Sequence, residues 1–322
     1  VYAKSFNIKN IEVSKPFEIN FDKNKVIDEG FVKAFSELIS LITVSSDHKI
    51  IKKIKLNQIR GMIESFSIKE EKFIDEIYYV NLGVAFNKKK ILNFLEKKNI
   101  FPSIPIKKKF LFIQIIIEEN KEKLLVFSNN KFYDEWNNNS ESFDLIEYIL
   151  PTEDLEDLNL IKKQFNFIEQ YDFKEITSKY YLDDSIVALI FINQKTIRIL
   201  SRITVNNKVV LINQSFSNID INNTDQLSTI TKSLKIIYED YWKNFNQINT
   251  SIKLPISIKV NGRDNSNVSR LENTLDEVNL IYDYYISKFD KDFIYYQIIY
   301  NGTPDIFLKS MEKQNFNFNT QN

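Results

Sequence analysis

The sequence predicts an α+β protein assembled from consecutive small α/β sandwich modules with mostly antiparallel sheets. Three observations lead there. Between Ile27 and Ile42 the apolar residues Ile27, Phe31, Ala34, Phe35, Leu38, Ile39 and Ile42 recur at spacings of three and four, one face of a helix. Ile63–Ile68 then alternates with period two, and Ile77–Phe86 is rich in aromatic and β-branched residues, both strand signatures. A strand-then-helix pattern returns near the C-terminus, where Asp292–Tyr296 resembles Asp75–Tyr79 and Phe307–Phe316 resembles Ile91–Ile100, the two alignments differing in offset by one residue.

In chain order, Phe6–Phe21 reads as an opening extended segment edged by Pro16. The helix to Ile42 carries Gly30 at a mild propensity cost, and a second short helix spans Leu56–Met62. After the two strands, the basic link Asn87-Lys88-Lys89-Lys90 leads into a helix bearing Ile91, Leu92 and Leu95. The two prolines of Phe101-Pro102-Ser103-Ile104-Pro105 end this first module, since they fit neither a helix interior nor a central strand.

The middle region opens with Lys107-Lys108-Lys109 and the run Phe110–Ile117, a buried central strand. A returning strand is expected over Lys123–Ser128, a short helix over Lys131–Trp136 and a strand over Phe143–Leu150. Thr152-Glu153-Asp154-Leu155 starts a helix to Lys163, and another helix lies near Phe173–Tyr181. Strands follow over Ser185–Asn193, Thr196–Val205 and Lys208–Phe216, the last two joined at Asn206-Asn207, a tight-turn signal. Thr224 is expected to cap the longest helix, which would bury Leu227, Ile230, Leu234, Ile237, Tyr241, Phe245 and Ile248.

In the last region, strand Ile252–Val260 precedes a helix capped by Ser266 or Asn267, strands Val278–Phe289 and Phe293–Tyr300, and a helix with Thr303 as cap and Pro304 first. A closing strand over Asn315–Asn319 would complete the order βαββαβ, the ferredoxin-like arrangement. The modules are therefore expected at 1–101, 106–250 and 251–322.

Composition excludes more chemistry than it suggests. The 322 residues are 43% apolar, enough for a sizeable core, and 43 basic residues balance 43 acidic ones, so no net field favours nucleic acid. Without cysteine there is no thiol nucleophile, thiolate metal site or disulfide. A single histidine, His48 in a polar link, cannot build a multi-histidine metal site and reads as a surface residue. Gly30, Gly61, Gly83, Gly262 and Gly302 lie too far apart for a phosphate-cradling loop. No catalytic residue, metal ligand or cofactor is expected. Sequon-like runs such as Asn138-Asn139-Ser140 carry no information in a chain this rich in asparagine.

The acidic groups Glu153-Asp154 with Glu156-Asp157, Asp183-Asp184, and Asp290 with Asp292 lack the grammar of a cation loop and read as solvated helix starts and turns. Lys88-Lys89-Lys90 and Lys107-Lys108-Lys109 read as solvated lysines; only Arg60, Arg198, Arg202, Arg263 and Arg270 supply guanidinium. The tyrosine pairs Tyr180-Tyr181, Tyr284-Tyr285 and Tyr295-Tyr296 put one ring on each face of a strand. Tyr285 and Tyr296, with Trp242, are the candidate partner surface.

Val1-Tyr2-Ala3 has small residues at the positions a signal peptidase reads, so cleavage near Ala3 and a periplasmic location are expected, with Lys4 opening the mature protein. No run approaches the ~20 apolar residues of a spanning helix, so an integral membrane protein is not expected.

The series Ala34-Phe35, Leu38-Ile39, Met62–Ile68, Val80–Asn87 and Leu95 resembles an exported proteobacterial family known as domain of unknown function two thousand and sixty-six. The likeness covers the first hundred residues well and the rest loosely. It implies export to the envelope, no assigned activity and no catalytic residues. Members usually have more small residues in the first helix and a glycine after the first strand region; this chain has fewer of both. The leading expectation is a non-catalytic envelope protein that binds another protein. The alternatives are a carboxylate-dependent hydrolase of a glycan, drawing on Asp183, Asp184 or the Glu153 cluster, and a small-ligand binder.

Overall fold

The computed structural model describes residues 5–51, 53–136 and 144–320. Val1-Tyr2-Ala3, Lys4, the Asn138–Ser140 run and Phe143 lie outside them. The protein is α+β, with 38% helix, 35% strand and mostly antiparallel sheets. It divides into two compact units, Val1–Pro105 with Lys243–Asn322, and Ile106–Trp242. Both outer regions recognised in the sequence thus belong to the first unit.

The N-terminal module runs β1 (Ser5–Pro16), α1 (Lys23–Ile42), α2 (His48–Ile51), α3 (Leu56–Met62), β2 (Ile63–Ile74), β3 (Ile77–Asn87) and α4 (Lys88–Glu96). Its antiparallel sheet has the order β1-β3-β2. Asp22 caps α1 by accepting from the Asn24 N–H, and the apolar stripe predicted for α1 is buried from Phe31 to Ile42. Gly30 is a packing requirement rather than a tolerated cost, because a Cβ there would overlap Leu82 Cδ1 of the sheet. The central strand β3 buries Tyr78, Val80, Leu82, Val84 and Phe86 on the helix side.

The second unit contains β4 (Lys108–Glu118), β5 (Lys123–Leu125), α5 (Lys131–Trp136), β6 (Ile146–Ile149), α6 (Leu155–Lys163), α7 (Lys174–Thr177), β7 (Ser185–Asn193), β8 (Thr196–Val205), β9 (Lys208–Phe216) and α8 (Thr224–Phe245). The sheet order is β5-β4-β7-β8-β9, with β6 and β7 parallel to β4. Alternation along β4 sends Leu111, Ile113, Ile115 and Ile117 toward Ile161, Ile168, Phe173 and Ile176. Phe110 and Phe112 face the other way, against Trp242 at 5.6 Å and Tyr238 at 5.9 Å. Helices therefore cover both faces of this sheet, which accounts for the near-continuous apolar run of β4.

Two details of α8 differ from expectation. Its cap is Asn223, which accepts from the N–H groups of Asp225 and Gln226. Past Leu234 the buried line continues through Tyr238 and Trp242, while Tyr241 is half-buried and Phe245 exposed. A helix turns once in 3.6 residues, so steps of four from Leu234 stay on the face, whereas Ile237, Tyr241 and Phe245 begin one position early.

The C-terminal module runs β10 (Leu254–Asn261), α9 (Asn265–Glu277), β11 (Ile281–Phe289), β12 (Phe293–Tyr300) and α10 (Pro304–Glu312), with sheet order β10-β12-β11. Asp264 rather than Ser266 or Asn267 caps α9, accepting from the Asn267 N–H at 3.0 Å. The expected closing strand does not form: Asn315 takes a positive φ of 61° and the chain to Thr320 stays irregular. Among the described residues the module is βαββα.

The two modules of the first unit repeat one plan. A spacing of 216 residues relates Ile77 to Phe293, Lys88 to Pro304, Glu96 to Glu312 and the left-handed Asn99 to Asn315. The same spacing superposes the inward residues Val80, Leu82 and Val84 on Tyr296, Ile298 and Tyr300. The one-residue discrepancy between the sequence alignments disappears, because the strand match that pairs Tyr78 with Tyr295 is out of phase with the pleat.

Contacts between these modules use Lys88 and Lys89; of the run expected to be solvated, Lys89 and Lys90 are exposed and Lys88 is not. Lys88 is buried and its Nζ donates to the carbonyls of Asn279 at 2.8 Å and Ile281 at 2.7 Å. Lys89 pairs with Asp283, Lys253 pairs with Glu96 at 2.9 Å, and Tyr282 donates to Asn93.

Candidate functional site

The residues singled out in the sequence do not converge. Tyr285 is exposed on the outer face of β11. Tyr296 is buried, its hydroxyl donating to Glu272 at 2.7 Å, and burial holds its pKa above the ordinary phenol value. The register places Tyr295, not Tyr296, on the outer face. Trp242 is also a core residue: its indole N–H donates to the Ile106 carbonyl at 2.7 Å and its ring meets Phe110 edge-on. Neither buried ring presents a partner surface.

The acidic groups are structural, and two of their members are buried rather than solvated. Asp157 pairs with Lys179 at 2.7 Å behind the Asp154 cap of α6. Asp184 accepts from the Asn206 N–H at 3.1 Å and lies 3.0 Å from Lys108 Nζ, so it fixes the β8–β9 turn. Asp290 accepts from the N–H groups of Asp292 and Phe293 in the β11–β12 turn, which holds its carboxyl below the ordinary value. His48 is half-buried at the start of α2. Among the described residues no group of three or more His, Asp or Glu is placed to hold a metal ion.

Two features of the N-terminal module stand out instead. The first is the free edge of its sheet. Every residue of β2 after Ile63 is exposed, Phe66, Ile68, Phe73 and Ile74 among them. At the hairpin end, Phe73 meets Phe17 at 4.9 Å, and the neighbouring Ile19 is fully exposed. The alternation of Ile63–Ile68 correctly signals a strand, but its apolar side chains are only partly covered, Phe66 by the Phe31 ring of α1 at 5.0 Å.

The second is a cleft of about 470 Å³ on the sheet face turned away from the core, lined by residues of all three strands and by Lys33 of α1. Across the strands, Ser14 and Lys72 both stand opposite Tyr79, and Glu12 and Glu70 both stand opposite Asn81. Lys72 pairs with Glu70 at 2.5 Å, and Lys33 donates to the Glu12 carbonyl at 3.2 Å. Asn81 Oδ1 is buried without a hydrogen-bond partner. Sequence reasoning passed over these residues because they are ordinary types scattered from position 12 to position 81; strand register alone gathers them.

Acid should loosen this unit. Hydrogen bonds from Lys23 and Tyr78 lower the pKa of Glu71 below 4.5, and backbone N–H groups lower that of Asp290 below 3.8. The unfolded chain then binds more protons in this window, so their contribution is present above the unfolded values and lost as pH falls through the folded ones. The expected result is a thermal midpoint that drops below about pH 4.5, with a shallower drop in the Glu71→Gln/Asp290→Asn double variant. An unchanged slope in that variant would refute the assignment.

No helix among the described residues is long and apolar enough to cross a membrane. The chain matches no protein-family model and no curated protein sequence.

Proposed function

We propose that this is a non-catalytic binding protein of the bacterial envelope, whose β2 edge takes an extended segment of a partner protein. The observation that carries it is a twelve-residue edge strand with four exposed large apolar side chains. Exposed edges of this kind invite strand addition, in which backbone hydrogen bonds give affinity and side chains give specificity. The charged run Lys69-Glu70-Glu71-Lys72 between the apolar ends discourages indiscriminate pairing. The resemblance to the exported family supports a periplasmic location. The C-terminal module is read as a ferredoxin-like plan without its last strand, because β10-β12-β11 matches the inner strand order of that plan.

The test is a photoactivatable side chain at position 68, with exposed position 162 as control, in cells carrying the full chain. A discrete adduct is expected from position 68 alone. It should vanish in Glu71→Pro, whose lost N–H points away from β3 because Ile74 and Ile77 close the two-residue turn. The same adducts from both positions, or an adduct indifferent to the proline, would overturn the proposal.

A further inference from the structure

We propose that the cleft on the open face of the N-terminal module binds a neutral saccharide, with the Tyr79 ring as stacking platform. The inference uses the sheet face rather than its edge and does not rest on strand addition at β2. Glu12, Glu70, Lys33 and Lys72 line the cleft, two carboxylates against two ammonium groups, so its walls favour a ligand without net charge. Across the strands the carboxylates of Glu12 and Glu70 both stand opposite Asn81, and Lys33 and Lys72 add donors to the same walls. A neutral site that carries both acceptors and donors is complemented by a neutral ligand that does both, and the hydroxyls of a sugar ring each donate and accept. Tyr79, 39% exposed beside them, offers a flat apolar surface to the C–H face of that ring. The volume falls in the range of small-ligand sites.

The repeat supplies a separate observation. At the same spacing, the outward residues Tyr79 and Asn81 of β3 correspond to Tyr295 and Gln297 of β12, and the cross-strand pair Lys72–Tyr79 corresponds to Lys288–Tyr295. A ring, an amide and an ammonium group thus recur on both outer faces, at positions that packing of the core does not dictate.

Calorimetric titration of the full chain with cellohexaose, N-acetylglucosamine hexamer and hexagalacturonate tests this. At least one neutral hexasaccharide should saturate below about 1 mM, and the acidic one should bind more weakly. Tyr79→Phe should keep the affinity, whereas Tyr79→Ala and Asn81→Ala should each weaken it by about tenfold. Circular dichroism of each variant separates lost folding from lost binding. Failure of both neutral sugars to saturate at about 10 mM, tighter binding of the hexagalacturonate, or affinity unchanged in Tyr79→Ala would each overturn the inference.

Discussion

Lys88→Met is expected to destabilise the first unit by about 3–5 kcal/mol, from two carbonyls, that of Ile281 buried and that of Asn279 partly so, each losing a charged donor. Lys88 opens α4, is 4% exposed, and reaches Asn279 and Ile281 of the C-terminal module, nearly two hundred residues away. Methionine keeps most of the stem volume, so the loss reports hydrogen bonding rather than a cavity. Lys90 provides the control. Its Nζ donates to the exposed carbonyl of Gly61 at 2.9 Å, and Lys90→Met should cost less than about 1 kcal/mol. Both tryptophans, Trp136 and Trp242, belong to the second unit, so urea unfolding followed by circular dichroism should show the loss while tryptophan emission shows little of it. Equal midpoints for Lys88→Met and Lys90→Met would show that the buried ammonium group is dispensable.

Local chemistry made much of this fold readable. β7, β8, β9, α5 and β12 have the bounds expected from the sequence, because their periodicity is uninterrupted and their ends are marked. The Asn206-Asn207 turn, with φ of 48° and 63°, suits asparagine, which accepts that left-handed geometry more readily than most side-chain-bearing residues. What stayed hidden depends on long-range contact. In Tyr295-Tyr296 the two residues are identical, so nothing local says which ring faces the core; the pairing of β12 with β10 and β11 decides it. Lys88, Lys89 and Lys90 look alike in sequence, yet only Lys88 is enclosed by chain from the far module. The cleft at Tyr79 was equally illegible, since its members become neighbours only when β1 and β2 both pair with β3. The absent closing strand is a third instance: Asn315–Asn319 has strand-like alternation, but the left-handed Asn315 reverses the chain and Phe316 and Phe318 join the core from irregular backbone.

Glu239→Ala should have the largest effect in the second unit, about 3–5 kcal/mol, by leaving two buried N–H groups unsatisfied. Glu239 is 6% exposed on α8, and its Oε1 accepts from the backbone of Leu145 at 3.0 Å and Ile146 at 2.8 Å. Leu145 precedes and Ile146 opens β6, a strand of only four residues whose ladder to β4 covers Lys108–Leu111. So short a strand gains little from its own ladder, and the carboxylate on the helix is what fixes its first turn of chain. Burial, reinforced by the same negative charge, pushes the neighbouring Tyr148 phenol well above its ordinary value. Tyr148 lies 5.2 Å from the Trp136 ring, so detachment of β6 is read directly in tryptophan emission. Glu239→Gln retains one acceptor oxygen and should cost about half as much. Hydrogen exchange should speed up at Glu147 and Ile149 in Glu239→Ala while the amides of β7 and β8 stay protected, because those strands are held by full-length neighbours on both sides. Uniform acceleration across the whole sheet would instead mean that Glu239 supports the core as a unit, and the local account of β6 would fail.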